Sequence, residues 1–150
     1  FKNCSGVMPA LPATAAPEDS ALLDAADAML GKVRAHMDLQ SFHEALRCIW
    51  EVVSDANKYV DTTAPWGLKK TDPLRMGEVL AILAETIRQA AILVQPVMPG
   101  SASKILDQLG VADDQRGFDM LAGAGRIAAG VEISKPEPVF PRFVEEEGEV

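Results

Sequence analysis

The sequence predicts an all-α fold, a bundle of about five helices followed by an extended C-terminal tail. Alanine and leucine are abundant while only 5% of the residues are aromatic, a composition that favours helices. Apolar residues recur at three- and four-residue spacing through most of residues 17–110. From Gly130 onward this pattern gives way to alternating apolar residues and then to a proline-rich stretch. These observations favour helices first and extended chain last.

The chain of 150 residues is long enough for one domain with a buried core. We expect residues 1–16 to be the end of a truncated helix plus a linker, residues 17–130 the helix bundle, and residues 131–150 an extended tail with an acidic end. The first residue is Phe rather than Met, which favours a piece of a longer protein. No apolar run approaches the roughly 20 residues of a membrane span, so no membrane partner is expected.

The first complete helix is predicted to begin at Pro17. Proline suits the first helical position, and Glu18 and Asp19 complement the helix dipole in the first turn. Its apolar stripe comprises Leu22, Ala26, Met29, Leu30, Val33 and Met37. The spacing therefore predicts one continuous helix as far as Met37.

The second helix is predicted over 41–62, with Ser41 and Glu44 as a capping box. Its predicted core stripe comprises Phe42, Ala45, Leu46, Ile49, Val53, Ala56 and Val60. A neighbouring stripe contains Arg47, Trp50, Ser54, Asn57 and Asp61. This second stripe places Asn57 and Asp61 on one edge of the helix. Trp50 lies inside the helix, and we expect it to pack.

Asp72 is predicted to cap a third helix whose first residue is Pro73. Its expected buried stripe comprises Met76, Val79, Leu80, Leu83, Ile87, Ala90, Ala91 and Val94. Arg88 and Gln89 interrupt this helix midway, and we interpret them as part of a solvated face. Prolines 96 and 99 end the helix.

A short fourth helix is predicted to stop at Gly110, and its apolar residues are Ala102, Ile105, Leu106 and Leu109. One further turn is expected near Phe118. In the tail, Val139, Phe140 and Phe143 are expected to fold back and cover the bundle.

The segment that ends the second helix carries the most functional information. Pro65 disfavours helical geometry at Ala64, so the helix should end near Thr62 and Trp66 should follow on a loop. A loop tryptophan beside an asparagine and a tyrosine is typical of a base-stacking site. The alternative is a hydrophobic plug, a buried ring that closes the helix junction.

A net charge of −8 argues against a general nucleic-acid binder. Four of the acidic residues, however, lie in the acidic end: Glu145, Glu146, Glu147 and Glu149. Between Asn57 and Arg75 the sign reverses, with four basic residues against two acidic ones. A short basic edge on an acidic body suits recognition of a few nucleotides. Its lysines could equally well only solvate a loop.

Three strings of this sequence occur in the same order in a known family. They are "EALRCIWEVVSDANKYVDTTAPWGLKKTDP", "EVLAILAETIRQAAILVQPVMPGSASKILDQLG" and "PEPVFPRF". They lie between residues 44 and 143, and the chain resembles the anticodon-binding half of methionyl-tRNA synthetase, a class I aminoacyl-tRNA synthetase. The string "ANKYVDTTAPW" is the most specific of the matches, while the second string is shared with related class I synthetases.

The resemblance implies a tRNA-binding site. In the family, the tryptophan that matches Trp66 stacks on the wobble-position cytosine of the CAU anticodon. The expected site residues are Trp66, Asn57, Asp61, Pro65, Lys69 and Lys70. Asn57 and Asp61 carry groups that can contact base edges, although each could instead cap the helix or brace the Trp66 segment. The implied partner is the anticodon stem-loop of tRNA(Met).

The resemblance also implies a parent enzyme, a cytoplasmic methionine-tRNA ligase that attaches methionine to tRNA(Met) with ATP in protein synthesis. The present sequence contains no Gly-rich phosphate loop, no zinc knuckle and no nucleophile with an evident base. We therefore expect no catalytic residue, metal site or cofactor in this chain, and an N-terminal catalytic domain as its second partner. The family's Asn-Leu-x-x-Arg motif has no match in residues 1–15. The alternative is a non-catalytic helical scaffold or protein-interaction module.

Overall fold

A computed structural model describes residues 1–141, and Phe143 and the acidic end lie outside these residues. The described part contains six α-helices: α1 (Pro17–Asp27), α2 (Met29–Asp38), α3 (Phe42–Thr63), α4 (Pro65–Thr71), α5 (Pro73–Val94) and α6 (Pro99–Gln108). Short 3-10 turns follow at Asp113–Gln115, Phe118–Met120 and Ala122–Gly125. The predicted all-α fold is confirmed. None of the described helices combines the length and the apolar character needed to cross a membrane.

Helix α5 lies at the centre of the bundle. Helices α1, α3, α4 and α6 all contact it, while α2 packs mainly on α3. Val79, Ile82 and Ile92 of α5 are completely buried, and buried residues occur on every side of the helix from Ala84 to Val94. Apolar residues lie on most sides of this part of α5, and burial of such a helix is favourable, which explains its central place.

The predicted first helix is in fact two helices, and this expectation was wrong. The break falls at Ala28, where α1 ends and α2 begins. The two pieces pack on different neighbours, since α1 contacts α5 and α3 whereas α2 contacts chiefly α3. Tertiary packing overrides a periodicity that would allow one straight helix.

Helix α3 has nearly the predicted bounds, but its buried face is rotated from the predicted stripe. Its buried residues are Ala45, Cys48, Ile49, Val52, Ala56 and Tyr59. Phe42, Val53 and Trp50 are exposed, so their predicted packing was wrong. The sequence carries several apolar stripes on this helix, and contact with α2, α1 and α5 selects one of them. The Ser41 side chain also makes no capping hydrogen bond.

Residues 1–7 form turns rather than the end of a helix, which corrects the prediction for this segment. Gly6 has a φ of +75°, a left-handed conformation that interrupts helical geometry. Val7 then forms an antiparallel bridge with Glu132, and the Met8 amide donates to the Val131 carbonyl at 2.8 Å. The N-terminal segment is therefore tied to the start of the tail.

The tail is extended but is held by polar bonds rather than by Phe140. The side chain of Gln108 donates to the Glu137 carbonyl at 3.1 Å and accepts from the Glu137 amide at 3.0 Å. The Phe140 side chain is 64% exposed, so the prediction that it covers the bundle was wrong. Val139 is half-buried.

Arg88 and Gln89 are buried, which overturns their assignment to a solvated face. The Arg88 guanidinium donates to both oxygens of the buried Glu85 carboxylate, at 2.8 and 2.9 Å, and to the Met120 carbonyl at 3.0 Å. Gln89 donates to Asp27 at 2.7 Å. These contacts fasten the 3-10 segment and α1 to α5.

Candidate nucleic-acid interface

Residues 64–72, here called the connector, join α3 to α5 and carry most of the predicted site. Ala64 adopts a left-handed conformation (φ 43°, ψ 58°), and its amide donates to the Val60 carbonyl at 2.9 Å to close α3. As predicted, Pro65 keeps its neighbour out of helical geometry. Helix resumes at once, however, because the fixed φ of proline suits the first position of α4. Trp66 therefore lies in the first turn of a short helix and not on a loop.

The Trp66 side chain faces solvent and is 65% exposed. Its neighbours hold α4 to the bundle, since Pro65 is buried and Leu68 packs partly against the core. Pro65 and Leu68 are three residues apart and share the helix face that packs on the bundle. Trp66 follows Pro65 directly and therefore lies on a different face of α4. The exposed ring excludes the hydrophobic plug.

Asn57 and Asp61 are exposed on the last two turns of α3, on either side of the buried Tyr59. Each is two residues from Tyr59, which is about 200° around a helix of 3.6 residues per turn. Both therefore lie on the side of α3 opposite Tyr59, within about 40° of each other. Within residues 1–141 neither side chain makes a hydrogen bond that caps α3 or braces the connector.

Asn57 borders an apolar groove of about 310 Å³ between α3 and α5. The groove is lined by Val53, Ala56, Val60, Leu83, Thr86, Ile87 and Ala90. A flat base can make apolar contacts there while the amide of Asn57 remains free to donate and accept.

Two of the four basic residues in the predicted basic edge form ion pairs with acidic residues. Lys58 pairs with Asp55 at 2.9 Å, and Arg75 pairs with the buried Asp19. Lys69 and Lys70 are exposed in the last turn of α4. Within residues 1–141 their one side-chain hydrogen bond runs from Lys69 Nζ to the Asn3 side-chain oxygen at 3.3 Å. The lysines of α4 therefore remain available for phosphate groups.

Three residues outside the predicted site form a hydrogen-bonded cluster where α1, α3 and α5 meet. Asp19, Tyr59 and Arg75, here called the anchor cluster, come from α1, α3 and α5 respectively. The Arg75 guanidinium donates to both Asp19 oxygens at 2.6 and 2.7 Å. The Tyr59 hydroxyl donates to Asp19 Oδ1 at 2.6 Å, and the Ala16 amide donates to Oδ2 at 3.0 Å.

Electrostatics in the anchor cluster favour the ionised carboxylate. Burial raises the pKa of the Asp19 carboxyl, but hydrogen bonds from Arg75, Tyr59 and the Ala16 amide outweigh it and hold that pKa below its ordinary value of 3.8. Burial and the hydrogen bond to Asp19 raise the pKa of the Tyr59 hydroxyl. The cluster therefore holds a carboxylate and a neutral phenol throughout the physiological range.

The sequence contained partial signals for these residues. Tyr59 lies inside the "ANKYVDTTAPW" string. The position of Asp19 indicates only that it complements the helix dipole, and that of Arg75 indicates only a positive charge on the basic edge. Asp19 and Arg75 are 56 positions apart. No local sequence pattern therefore predicts that they form an ion pair.

The surface can stack, hydrogen-bond and attract phosphate, which are the interactions that single-stranded RNA requires. In the described residues no group of three or more His, Cys, Asp or Glu side chains could hold a metal ion. Pro65, Trp66, Lys69 and Lys70 lie together on α4, directly after the α3 turns that carry Asn57 and Asp61.

Residues 9–150 match a family described as the anticodon binding domain of methionyl tRNA ligase. The chain is similar to methionine-tRNA ligases of Rhizobium meliloti, at 48% identity over 143 residues, and Mycobacterium tuberculosis, at 45% over 147 residues. Each alignment covers 95% of this chain and 28% of the relative, so the chain spans about 28% of the length of these proteins.

The fold is similar to that of solved methionyl-tRNA synthetases from Mycobacterium tuberculosis. The apo form aligns with a TM-score of 0.89 at 42% identity and covers 97% of this chain and 29% of that one. A complex with methionyl-adenylate aligns with a TM-score of 0.87 at 44% identity and covers 94% of this chain and 28% of that one.

Proposed function

Because the chain belongs to the methionyl-tRNA ligase family of anticodon-binding domains, we propose that it helps a full-length ligase to select tRNA(Met) by its anticodon. That enzyme joins methionine to tRNA(Met) with ATP in the cytoplasm. Its N-terminal catalytic domain binds ATP and performs the chemistry, whereas this chain contributes recognition. The observation that carries the proposal is the exposed Trp66 ring at the junction of α3 and α4.

Each predicted site residue has a role that suits its position. Trp66 stacks on the wobble-position cytosine of the anticodon stem-loop, and Pro65 fixes the start of the helix that presents the ring. Asn57 offers a donor and an acceptor to a base edge, and Asp61 accepts from a base amino group. The lysines at 69 and 70 contact the phosphates.

The alternative function, a helical scaffold without RNA, predicts that Trp66 fills space inside the bundle. An exposed ring of this size contributes little to stability as filler, because the apolar surface stays in contact with water. Trp66 is exposed on the same helix as Lys69 and Lys70, which form no salt bridge within residues 1–141, and this arrangement favours RNA recognition over a scaffold.

We expect Trp66→Ala in the full-length ligase to lower kcat/KM for tRNA(Met) by about 5- to 150-fold, since stacking on one base contributes roughly 1–3 kcal/mol. Methionine activation without tRNA should stay near normal, because the substitution leaves the catalytic domain untouched. Aminoacylation and ATP–pyrophosphate exchange assays measure the two activities.

Phe42→Ala is the matched control, since Phe42 is an exposed aromatic residue at the other end of α3. It should leave both activities near normal. Equal loss of the two activities in Trp66→Ala, with a lower melting temperature, would instead assign Trp66 a structural role.

The basic edge gives a second expectation. Changing Lys69 and Lys70 together to Ala should weaken tRNA binding by the full-length enzyme. It should also reduce the slope of log affinity against log salt by up to about 1.4, because each lost contact to a phosphate of a single strand removes about 0.7. Filter binding between 50 and 200 mM salt measures the slope, over the range where such contacts matter.

A double change of Lys104 and Lys135 to Ala removes the same charge from the α6 and tail side of the domain. That variant should keep the parent slope. If the Lys69 and Lys70 variant also keeps it, these lysines do not contact the RNA.

A further inference from the structure

We propose that Asp19, Tyr59 and Arg75 are positioning residues for anticodon recognition. The anchor cluster holds the end of α3 and the connector in the orientation that the anticodon requires. This inference rests on the proposed function, because it concerns the support of the same surface. It assigns a role to a cluster in which Asp19 and Tyr59 are buried and the Arg75 side chain is 23% exposed.

The cluster has a geometry that fixes orientation. Asp19 is completely buried, and each of its two carboxylate oxygens accepts two hydrogen bonds. The Arg75 fork binds both oxygens at once, and a bidentate pair of this kind fixes angles as well as distance. The three helices that meet at this carboxylate therefore have little freedom to rotate against one another.

Tyr59 determines which side of α3 faces outward. Its hydroxyl reaches Asp19 only when the ring points into the bundle. Asn57 and Asp61, two residues before and after it, are then directed to the opposite side of the helix. A rotation of the last turns of α3 would redirect both polar side chains and the start of the connector together.

The cluster also holds the two ends of the connector. At the α3 end, the Tyr59 carbonyl accepts from the Thr63 hydroxyl at 2.7 Å, one residue before the connector starts. At the α5 end, the Arg75 amide donates to the Asp72 side chain at 3.0 Å, on the last residue of the connector. Both ends of the segment that displays Trp66 are thus linked to one buried carboxylate.

A buried ion pair is a poor source of net stability, because desolvation offsets most of its attraction. An apolar trio could fill the same space without a directional constraint. We therefore expect the anchor cluster to affect mainly the orientation of the end of α3 and the connector. Variants of the cluster should change tRNA binding more than their loss of stability alone explains.

The test uses Tyr59→Phe in the full-length ligase, since this change deletes the 2.6 Å hydrogen bond and keeps the ring. We expect KM for tRNA(Met) to rise by about fivefold, the scale on which supporting contacts modulate a distant site. Methionine activation without tRNA should not change. Amide hydrogen exchange in residues 64–72 should become faster.

Gln89→Met is the matched control, because it deletes a partly buried hydrogen bond to Asp27 and a buried one to Glu85 in the other polar network. It should lower thermal stability at least as much as Tyr59→Phe while leaving KM for tRNA(Met) and exchange in residues 64–72 unchanged. Arg75→Lys, which keeps the charge but loses the fork, should behave like Tyr59→Phe.

If Tyr59→Phe and Arg75→Lys raise KM for tRNA(Met) no more than Gln89→Met does, the positioning role is overturned. Trp66→Ala, assayed alongside, separates the two proposals. A raised KM in Trp66→Ala without one in Tyr59→Phe overturns the positioning role alone. An unchanged kcat/KM for tRNA(Met) in Trp66→Ala overturns the proposed function, and the positioning role with it.

Discussion

Replacing Glu85 with Leu is expected to lower the free energy of unfolding by about 3–5 kcal/mol, because it leaves the buried Arg88 guanidinium without its carboxylate. Glu85 and Arg88 are 0% and 1% exposed, so water cannot take the place of the lost partner. The change also removes the acceptor of the Ile127 amide. Urea unfolding followed by far-UV circular dichroism measures the loss.

The double variant Glu85→Leu, Arg88→Met is the informative comparison. Removing both charges eliminates the unpaired buried cation, so the double variant should be more stable than Glu85→Leu alone. Recovery should be incomplete, because the Met120 carbonyl and the Ile127 amide still lose their partners. A double variant less stable than either Glu85→Leu or Arg88→Met would show that Glu85 and Arg88 do not stabilise each other as their short distances indicate.

Asp19→Asn is expected to cost about 3 kcal/mol at pH 7, the lower end of the range for breaking a buried pair. The lower end applies because Arg75 keeps a 23% exposed side chain and can recover some hydration. Asp55→Asn is the control, since its exposed pair with Lys58 should contribute less than about 1 kcal/mol. Urea unfolding of the three proteins measures these differences.

The same comparison has a defined pH dependence. The pKa of Asp19 is lower in the folded chain than its ordinary value of 3.8, so ionisation favours the folded state. The stability difference between the parent and Asp19→Asn should therefore be constant from pH 7 to about 5 and shrink as the pH falls below about 4. A difference that grows on acidification would mean that the carboxylate is not stabilised by folding.

The long helices were predictable because their signals are local. Asp72 caps α5 through the Arg75 amide, Pro73 occupies the first position, and the apolar period is strong. The end of α3 was placed within one residue, since the proline restriction on Ala64 acts between neighbours. The wrong predictions concern features that depend on contacts with residues distant in sequence. Examples are the break at Ala28 and the burial of Arg88.

The residues of the predicted site could be chosen from the sequence, but their structural surroundings could not. Pro65 predicts that α3 ends just before Trp66. The pattern around Trp66 did not predict the short helix that begins at Pro65. By sequence position Lys58 belongs to the basic edge, whereas in the structure its charge is paired with Asp55. The anchor cluster joins residues up to 56 positions apart, and hydropathy patterns carry no signal for such pairs.

The most direct test of anticodon recognition is a cycle between Trp66 and the base that it is proposed to stack on. Aminoacylation by the full-length ligase is measured for the parent and for Trp66→Ala, each with normal tRNA(Met) and with tRNA(Met) that lacks the wobble-position base. If the ring stacks on that base, each change alone lowers kcat/KM and the second adds little to the first. If the two losses multiply as they do for independent sites, Trp66 does not stack on that base and the account of the site is wrong.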